Sequence, residues 1–160
     1  MPGNVKQVVH LVASDENRSL FEPTLVSVAS PSATSVEETW FAGNHGDVGG
    51  GWEKTSRDEK QLSDLTLSYM IRKAEASELK FIADWQNIVQ APKNGAGSVH
   101  QLTLKDVTRL AGGKLIRTLR SAGSGKPRVH QSVKQKYDND SNYRPAQISS
   151  DFNDVELVSD

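Results

Sequence analysis

Val36-Glu37-Glu38-Thr39-Trp40-Phe41-Ala42-Gly43-Asn44-His45-Gly46-Asp47-Val48-Gly49-Gly50-Gly51-Trp52 is the stretch whose reading decides the fold. Val36, Trp40 and Phe41 make a short apolar, β-favouring run. Gly43, Gly46, Gly49, Gly50 and Gly51 then form a loop in which positive φ and close backbone approach meet no Cβ. His45 and Asp47 stand two positions apart inside it. A strand that delivers a polar side chain on a permissive loop is a common way to place a catalytic group. A solvated histidine on a surface turn is the plain alternative.

On the N-terminal side, Val5, Val8, Val9 and Val12 fall at i, i+3, i+4 and i+7. Residues 5–21 therefore read as a helix or helix-turn, while the poor helix propensity of valine leaves a strand open. Asp15, Glu16 and Arg18 read as a solvated charged face. Pro23 breaks the pattern, residues 24–29 read as a short extended segment, and residues 30–35 as a loop. On the C-terminal side, residues 53–60 are a charged loop and residues 62–79 give the clearest helix. Ser63 or Asp64 can cap that helix, and Leu67, Met70, Ile71 and Ala74 form its expected core stripe. Strand, glycine loop, linker and helix together make an α/β unit.

Farther along, residues 91–98 read as a loop. Thr103 to Asp106 resembles a capping box that opens a short helix to about Ala111, where Gly112 and Gly113 stop it. Leu115, Ile116 and Leu119 suggest another helical piece, followed by a basic connector over residues 121–126. From Tyr137 onward the chain is polar, with an acidic end. Residues 1–136 are thus expected to be the domain and residues 137–160 a mostly disordered tail.

With 160 residues the chain can bury one modest core. Its net charge of −1 implies no nucleic-acid partner. There is no cysteine, which excludes disulfides and thiol chemistry and, with no signal-peptide run at the start, favours a cytoplasmic setting. No stretch approaches the roughly 20 apolar residues of a transmembrane span. His10, His100 and His130 are not at ligand spacing from His45 and Asp47, so neither a metal nor another cofactor is expected. Gly123-Ser124-Gly125-Lys126 resembles the end of a phosphate-binding loop, but Arg120 replaces its first glycine and Pro127 its Ser/Thr. The nucleophile elbow G-x-S-x-G of α/β-hydrolases does not occur in the chain.

The segment from Trp40 to Trp52 resembles an α/β-hydrolase family long catalogued as a domain of unknown function, which includes the phospholipase effectors of bacterial type VI secretion. The family pattern is Trp-Phe, a small residue, glycine, then His, any residue, Asp, Val and three glycines. Ala42, Asn44 and Trp52 look most like the fungal members. Two flanking stretches are also similar: residues 9–23, with His10, Asp15-Glu16, Arg18, Phe21 and Pro23, and residues 62–70, with Tyr69-Met70 where Trp-Met is more usual. Val129 to Val133 and Tyr143-Arg144-Pro145 resemble the family's C-terminal end, whereas residues 86–128 match poorly.

The resemblance implies an α/β fold in which His45 is the triad histidine. It implies that Asn44, Gly46, Asp47, Gly49, Gly50 and Gly51 shape the loop around it. In the family the serine and the triad acid lie upstream of the segment where this chain begins. The expectation is therefore the C-terminal portion of an α/β-hydrolase domain, helix-rich and with an incomplete sheet. Such a chain would be a serine hydrolase fragment, acting on an ester or phospholipid by acyl transfer only when joined to the missing half, and inactive alone. A non-catalytic binding or scaffolding remnant is the alternative, with oligomerisation as one way to cover an open sheet edge. A third reading has the chain supply His45 to a separate chain carrying the serine.

Overall fold

The valines near the N-terminus settle as a strand, β1 (Gln7–Ala13), and not as the helix their spacing suggested. β-branched side chains pack well on a pleated surface and lose rotamer freedom in a helix. In the computed structural model, which describes residues 4–27, 33–56, 59–100, 116–122 and 125–159, β1 is followed by a loop and a single 3-10 turn, Ser19–Phe21. β2 (Ser35–Phe41) is the strand read from Val36, Trp40 and Phe41. It lies parallel to β1, with Val12 opposite Trp40 and Ala13 opposite Phe41. β3 (Arg128–His130) and β4 (Glu156–Val158) extend the sheet in the order β1-β2-β3-β4, all parallel.

The glycine-rich loop is more ordered than a turn. It holds a short helix, α1 (His45–Gly49), followed by α2 (Leu62–Ala76), α3 (Trp85–Ile88) and α4 (Gln131–Asn139). α2 is three residues shorter than expected, and its cap lies two residues before Ser63 and three before Asp64, the expected caps. Gln61 is the N-cap, and its backbone N–H donates to the Asp64 carboxylate at 3.0 Å, so Asp64 serves as the third helical residue and not as the cap. The core stripe is also shifted. Leu62, Leu65, Tyr69 and Ile71 are buried, whereas Leu67 is 48% exposed. The segments at residues 24–27 and 116–120 are irregular, so the helical piece expected around Ile116 and Leu119 is not formed there. The helix expected at 103–111 lies outside the described residues.

Alternate residues of the strands sort into two cores, as the period of a pleated strand requires. Phe41 meets Leu65 and Tyr69 of α2, with Val9, Leu11 and Val48 against them. Val12 and Trp40 belong to a second cluster with Val129, Val133, Tyr143, Ile148, Phe152 and Val155. Sheet strands with both faces covered are the signature of a parallel α/β layer arrangement.

That second cluster corrects the expectation of a disordered tail. The chain beyond Tyr137 supplies β4 and four buried apolar side chains, Tyr143, Ile148, Phe152 and Val155. Its polar residues serve turns: the Ser149 hydroxyl donates to Asp154 at 2.5 Å, and the Asn153 backbone N–H donates to Asp151 at 3.2 Å. The few apolar side chains between them are enough to bind the segment to the sheet.

The register of α2 can be checked directly. Leu65→Ala is expected to cost about 2–5 kcal/mol in urea unfolding, and Leu67→Ala no more than about 0.5 kcal/mol. Equal costs would contradict the packing of α2 on Phe41.

Candidate functional site

The chemistry-bearing side chains collect just beyond the C-terminal ends of β1 and β2. Ligand sites of open parallel sheets form at this position. The two loops are tied together by the backbone: Ser14 N–H donates to Phe41 O at 2.9 Å and Asp15 N–H to Gly43 O at 3.0 Å. The Asp15 carboxylate reinforces the junction. It accepts from Gly43 N–H at 2.6 Å, the Tyr143 hydroxyl at 2.9 Å and the Gln147 amide at 3.0 Å. Burial raises the Asp15 pKa above its ordinary value, against the pull of these donors and of Ser14.

The turn that carries His45 is built by Asn44 and Asp47. The Asn44 side-chain oxygen accepts from the N–H groups of Gly46 at 2.8 Å and Asp47 at 3.1 Å, and the Asp47 carboxylate accepts from Asn44 N–H at 2.9 Å. This reciprocal capping box starts α1 with His45 as its first residue. Gly43 is required just before it. Its φ is 109°, and a Cβ there would stand 2.3 Å from the Asp47 Cβ. Gly46 leaves room for the Trp52 indole, whose Nε1 would lie 2.8 Å from a Cβ at that position. Gly49 closes the short helix. Gly50 and Gly51 follow, each donating a backbone N–H to Gly46 O at 3.0 Å.

Asp47, expected only to shape the loop, has a histidine of its own. Its carboxylate meets His100 Nδ1 at 2.5 Å and accepts from His100 N–H at 3.1 Å. The Asn44 amide donates to His100 O at 2.7 Å, and the His100 ring stacks on Trp52 with centroids 4.4 Å apart. Spacing along the chain gave no hint of this pair, because 53 residues separate its members.

His45 is paired with a carboxylate from the other loop. Glu16, whose side chain is fully buried, places Oε2 at 2.6 Å from His45 Nδ1. Arg18 forks onto the same carboxylate, with Nε 2.8 Å from Oε1 and Nη2 2.7 Å from Oε2. The Arg18 backbone N–H adds a bond at 2.9 Å. Burial alone would raise the Glu16 pKa, but the donors from Arg18 and His45 outweigh it and hold the carboxyl down at about 2.

Arg18 Nη2 also lies 2.6 Å from His45 Nδ1. These two nitrogens and Oε2 form a nearly equilateral triangle. The hydrogens of Nη2 cannot line up on both neighbours, so Oε2 is the shared acceptor. A carboxylate only accepts and a guanidinium only donates. A His45 that donates from Nδ1 to Glu16 presents Nε2 as its free nitrogen. The ring lies on Phe21, with centroids 4.7 Å apart and planes 9° apart, and its side chain is 51% exposed. Among the described residues Nε2 has no hydrogen-bond partner, and no group of three or more metal-binding side chains occurs.

Asp15, Glu16 and Arg18 are thus not a solvated face: the Glu16 side chain is fully buried and paired with His45 and Arg18. The available signal was position: these charges directly follow the apolar run of β1, where a strand ends and a loop turns inward. The Glu16 carboxylate also sets a pH dependence. Its folded pKa lies below the ordinary value of 4.5, so its stabilising contribution is present above about pH 4.5 and is lost as pH falls toward 2. Glu16→Gln is expected to flatten the acid limb of a stability–pH curve over that window. An unchanged limb would contradict the buried pair.

The family match falls on this half of the chain. The family model described as the T6SS phospholipase effector Tle1-like catalytic domain matches residues 1–73. An uncharacterized protein of Saccharomyces cerevisiae is 46% identical over 44 residues, which are 28% of this chain and 6% of that protein. No solved structure gives a significant match. The matched residues span β1, the Glu16 loop, β2, the His45 turn and most of α2. Over this stretch the chain is similar to the Tle1-like phospholipase effector catalytic domain, and the likeness to fungal sequences read from the glycine motif extends to a yeast protein.

Proposed function

We propose that the chain carries the acid–base half of a lipase-like hydrolytic site, with His45 as the base and Glu16 as the acid that orients it. The observation that carries this reading is the 2.6 Å contact between the buried Glu16 carboxylate and His45 Nδ1. A carboxylate on Nδ1 fixes the tautomer and stabilises the imidazolium that forms when Nε2 takes a proton, as in serine hydrolases. The similarity of residues 1–73 to a phospholipase effector catalytic domain supports an ester of a lipid as the substrate class. Glu16 takes the place of the triad acid that the family resemblance puts upstream.

In the proposed step His45 Nε2 accepts the proton of an attacking hydroxyl and then returns it to the leaving alcohol. In this reading the hydroxyl belongs to a nucleophile-bearing segment joined to the chain, whose own sequence holds no G-x-S-x-G turn. Asn44, Asp47 and the glycines hold the histidine turn in place. A non-catalytic binding role is the second reading. It draws on a cleft of about 1070 Å³ beside the site whose wall includes His100, Lys136 and Tyr143 but not His45.

The test is kinetic, in a polypeptide that joins this chain to a nucleophile-bearing segment and is assayed on a phospholipid and on a p-nitrophenyl ester. His45→Ala is expected to lower kcat by at least about 10³-fold, and Glu16→Gln by roughly 10⁴-fold if the acid acts as in the serine proteases. Full activity in either variant would overturn the assignment of that residue.

A further inference from the structure

Arg117 lies 101 residues from Glu16 in sequence, outside the stretch that matches the phospholipase family, yet its guanidinium is buried against the Glu16 loop. Nε donates to the backbone carbonyl of Glu16 itself at 2.7 Å. Nη1 donates to Ala13 O, the last residue of β1, at 3.2 Å. Nη2 donates to Phe21 O, at the end of the 3-10 turn. One side chain thus gathers the three carbonyls that bracket the loop: where it leaves the sheet, where the acid sits, and where the ring that stacks on His45 begins. The segment that brings Arg117 is itself anchored to the sheet, because the Trp40 indole N–H donates to Arg120 O at 2.9 Å.

We propose that Arg117 is the positioning residue of the Glu16–His45 pair: its three-carbonyl clamp holds the β1 loop in the conformation that brings the Glu16 carboxylate to His45 Nδ1. The proposal rests on the reading of that pair as the acid and base of the site. Arg117 touches neither the imidazole nor any reacting atom; it acts through the backbone of the loop. A planar guanidinium with donors on three nitrogens reaches three carbonyls at fixed angles, which an ammonium cannot do. Burial pulls the Arg117 pKa below its ordinary value, and the charges of Glu16 and Glu22 pull the other way. The cation is therefore held against a desolvation cost by the carbonyls and acids around it. Arg18 grips the carboxylate and Arg117 grips the backbone beneath it, so the two arginines divide the task between side chain and main chain.

The pair can be followed without any catalytic assay. An Nδ1–H held by a carboxylate exchanges slowly with water and gives a downfield proton resonance. Three such signals are expected from the full chain, from His10 on Glu38, His45 on Glu16 and His100 on Asp47, each assigned by its loss in the corresponding His→Gln variant. In Arg117→Met the His45 signal is expected to fall to less than half its intensity. The His100 signal and the amide resonances of β1 and β2 should persist. A His45 signal of full intensity overturns the proposal, and so does equal loss of all three signals, which would mark a general loosening.

If Arg117→Met does not fold, Arg117→Lys decides. It keeps the charge but reaches fewer carbonyls, so the His45 signal should still fall below half in a folded chain, and full retention overturns the clamp. This outcome is independent of hydrolysis. A lost signal with no esterase activity in any joined polypeptide would keep Arg117 as the positioning residue and remove the catalytic role of the pair.

Discussion

A buried carboxylate that must be paired governs the top of this sheet. Glu16 has no solvent exposure at its side chain, and an isolated charge there would cost several kcal/mol. The structure satisfies it with a bidentate arginine, a backbone N–H and an imidazole. Those four donors come from two loops, so the carboxylate ties the end of β1 to the turn after β2. The backbone bonds from Ser14 and Asp15 to the second loop and the Gly43 N–H on Asp15 repeat that tie one residue away. Register between β1 and β2, the conformation of both loops and the orientation of His45 are consequences of one arrangement.

The histidine turn shows the same economy. Asn44 and Asp47 close a capping box around His45, and both also reach His100, through an amide-to-carbonyl bond and through the carboxylate. A helix of five residues has little stability of its own. Here its first turn is held by side chains on both sides, and the glycines that flank it allow Asp47 and Trp52 to come close. Polar contacts hold the loop, with glycine providing the space for them.

How much of this could be read from the sequence differs element by element. β2, the glycine turn and the presence of α2 were legible, because each is a local pattern of apolar residues and backbone-permissive ones. β1 was ambiguous, since four valines fit a helical spacing and a strand equally, and only pairing with β2 decides it. The register of α2 is not legible, because the helix is apolar on more than one face and buries Leu65 while leaving Leu67 exposed. The order of the C-terminal segment is not legible, because its buried Tyr143, Ile148, Phe152 and Val155 follow no period and are diluted by turn residues. Of the site, His45 was visible and its partner was not. Glu16, 29 positions away, has no sequence signature that distinguishes an inward carboxylate from a solvated one, and Arg117 is more distant still.

Which nitrogen of His45 carries the proton decides whether the ring can act as a base. Nitrogen-15 NMR of the imidazole rings at neutral pH reads this tautomer directly. The pairing with Glu16 predicts a protonated Nδ1 and a bare Nε2 for neutral His45, and a shift toward the Nε2–H form in Glu16→Gln. A wild-type His45 with the proton on Nε2 would mean that Arg18, not Glu16, is the partner of Nδ1, and that the ring is not poised to act as a base.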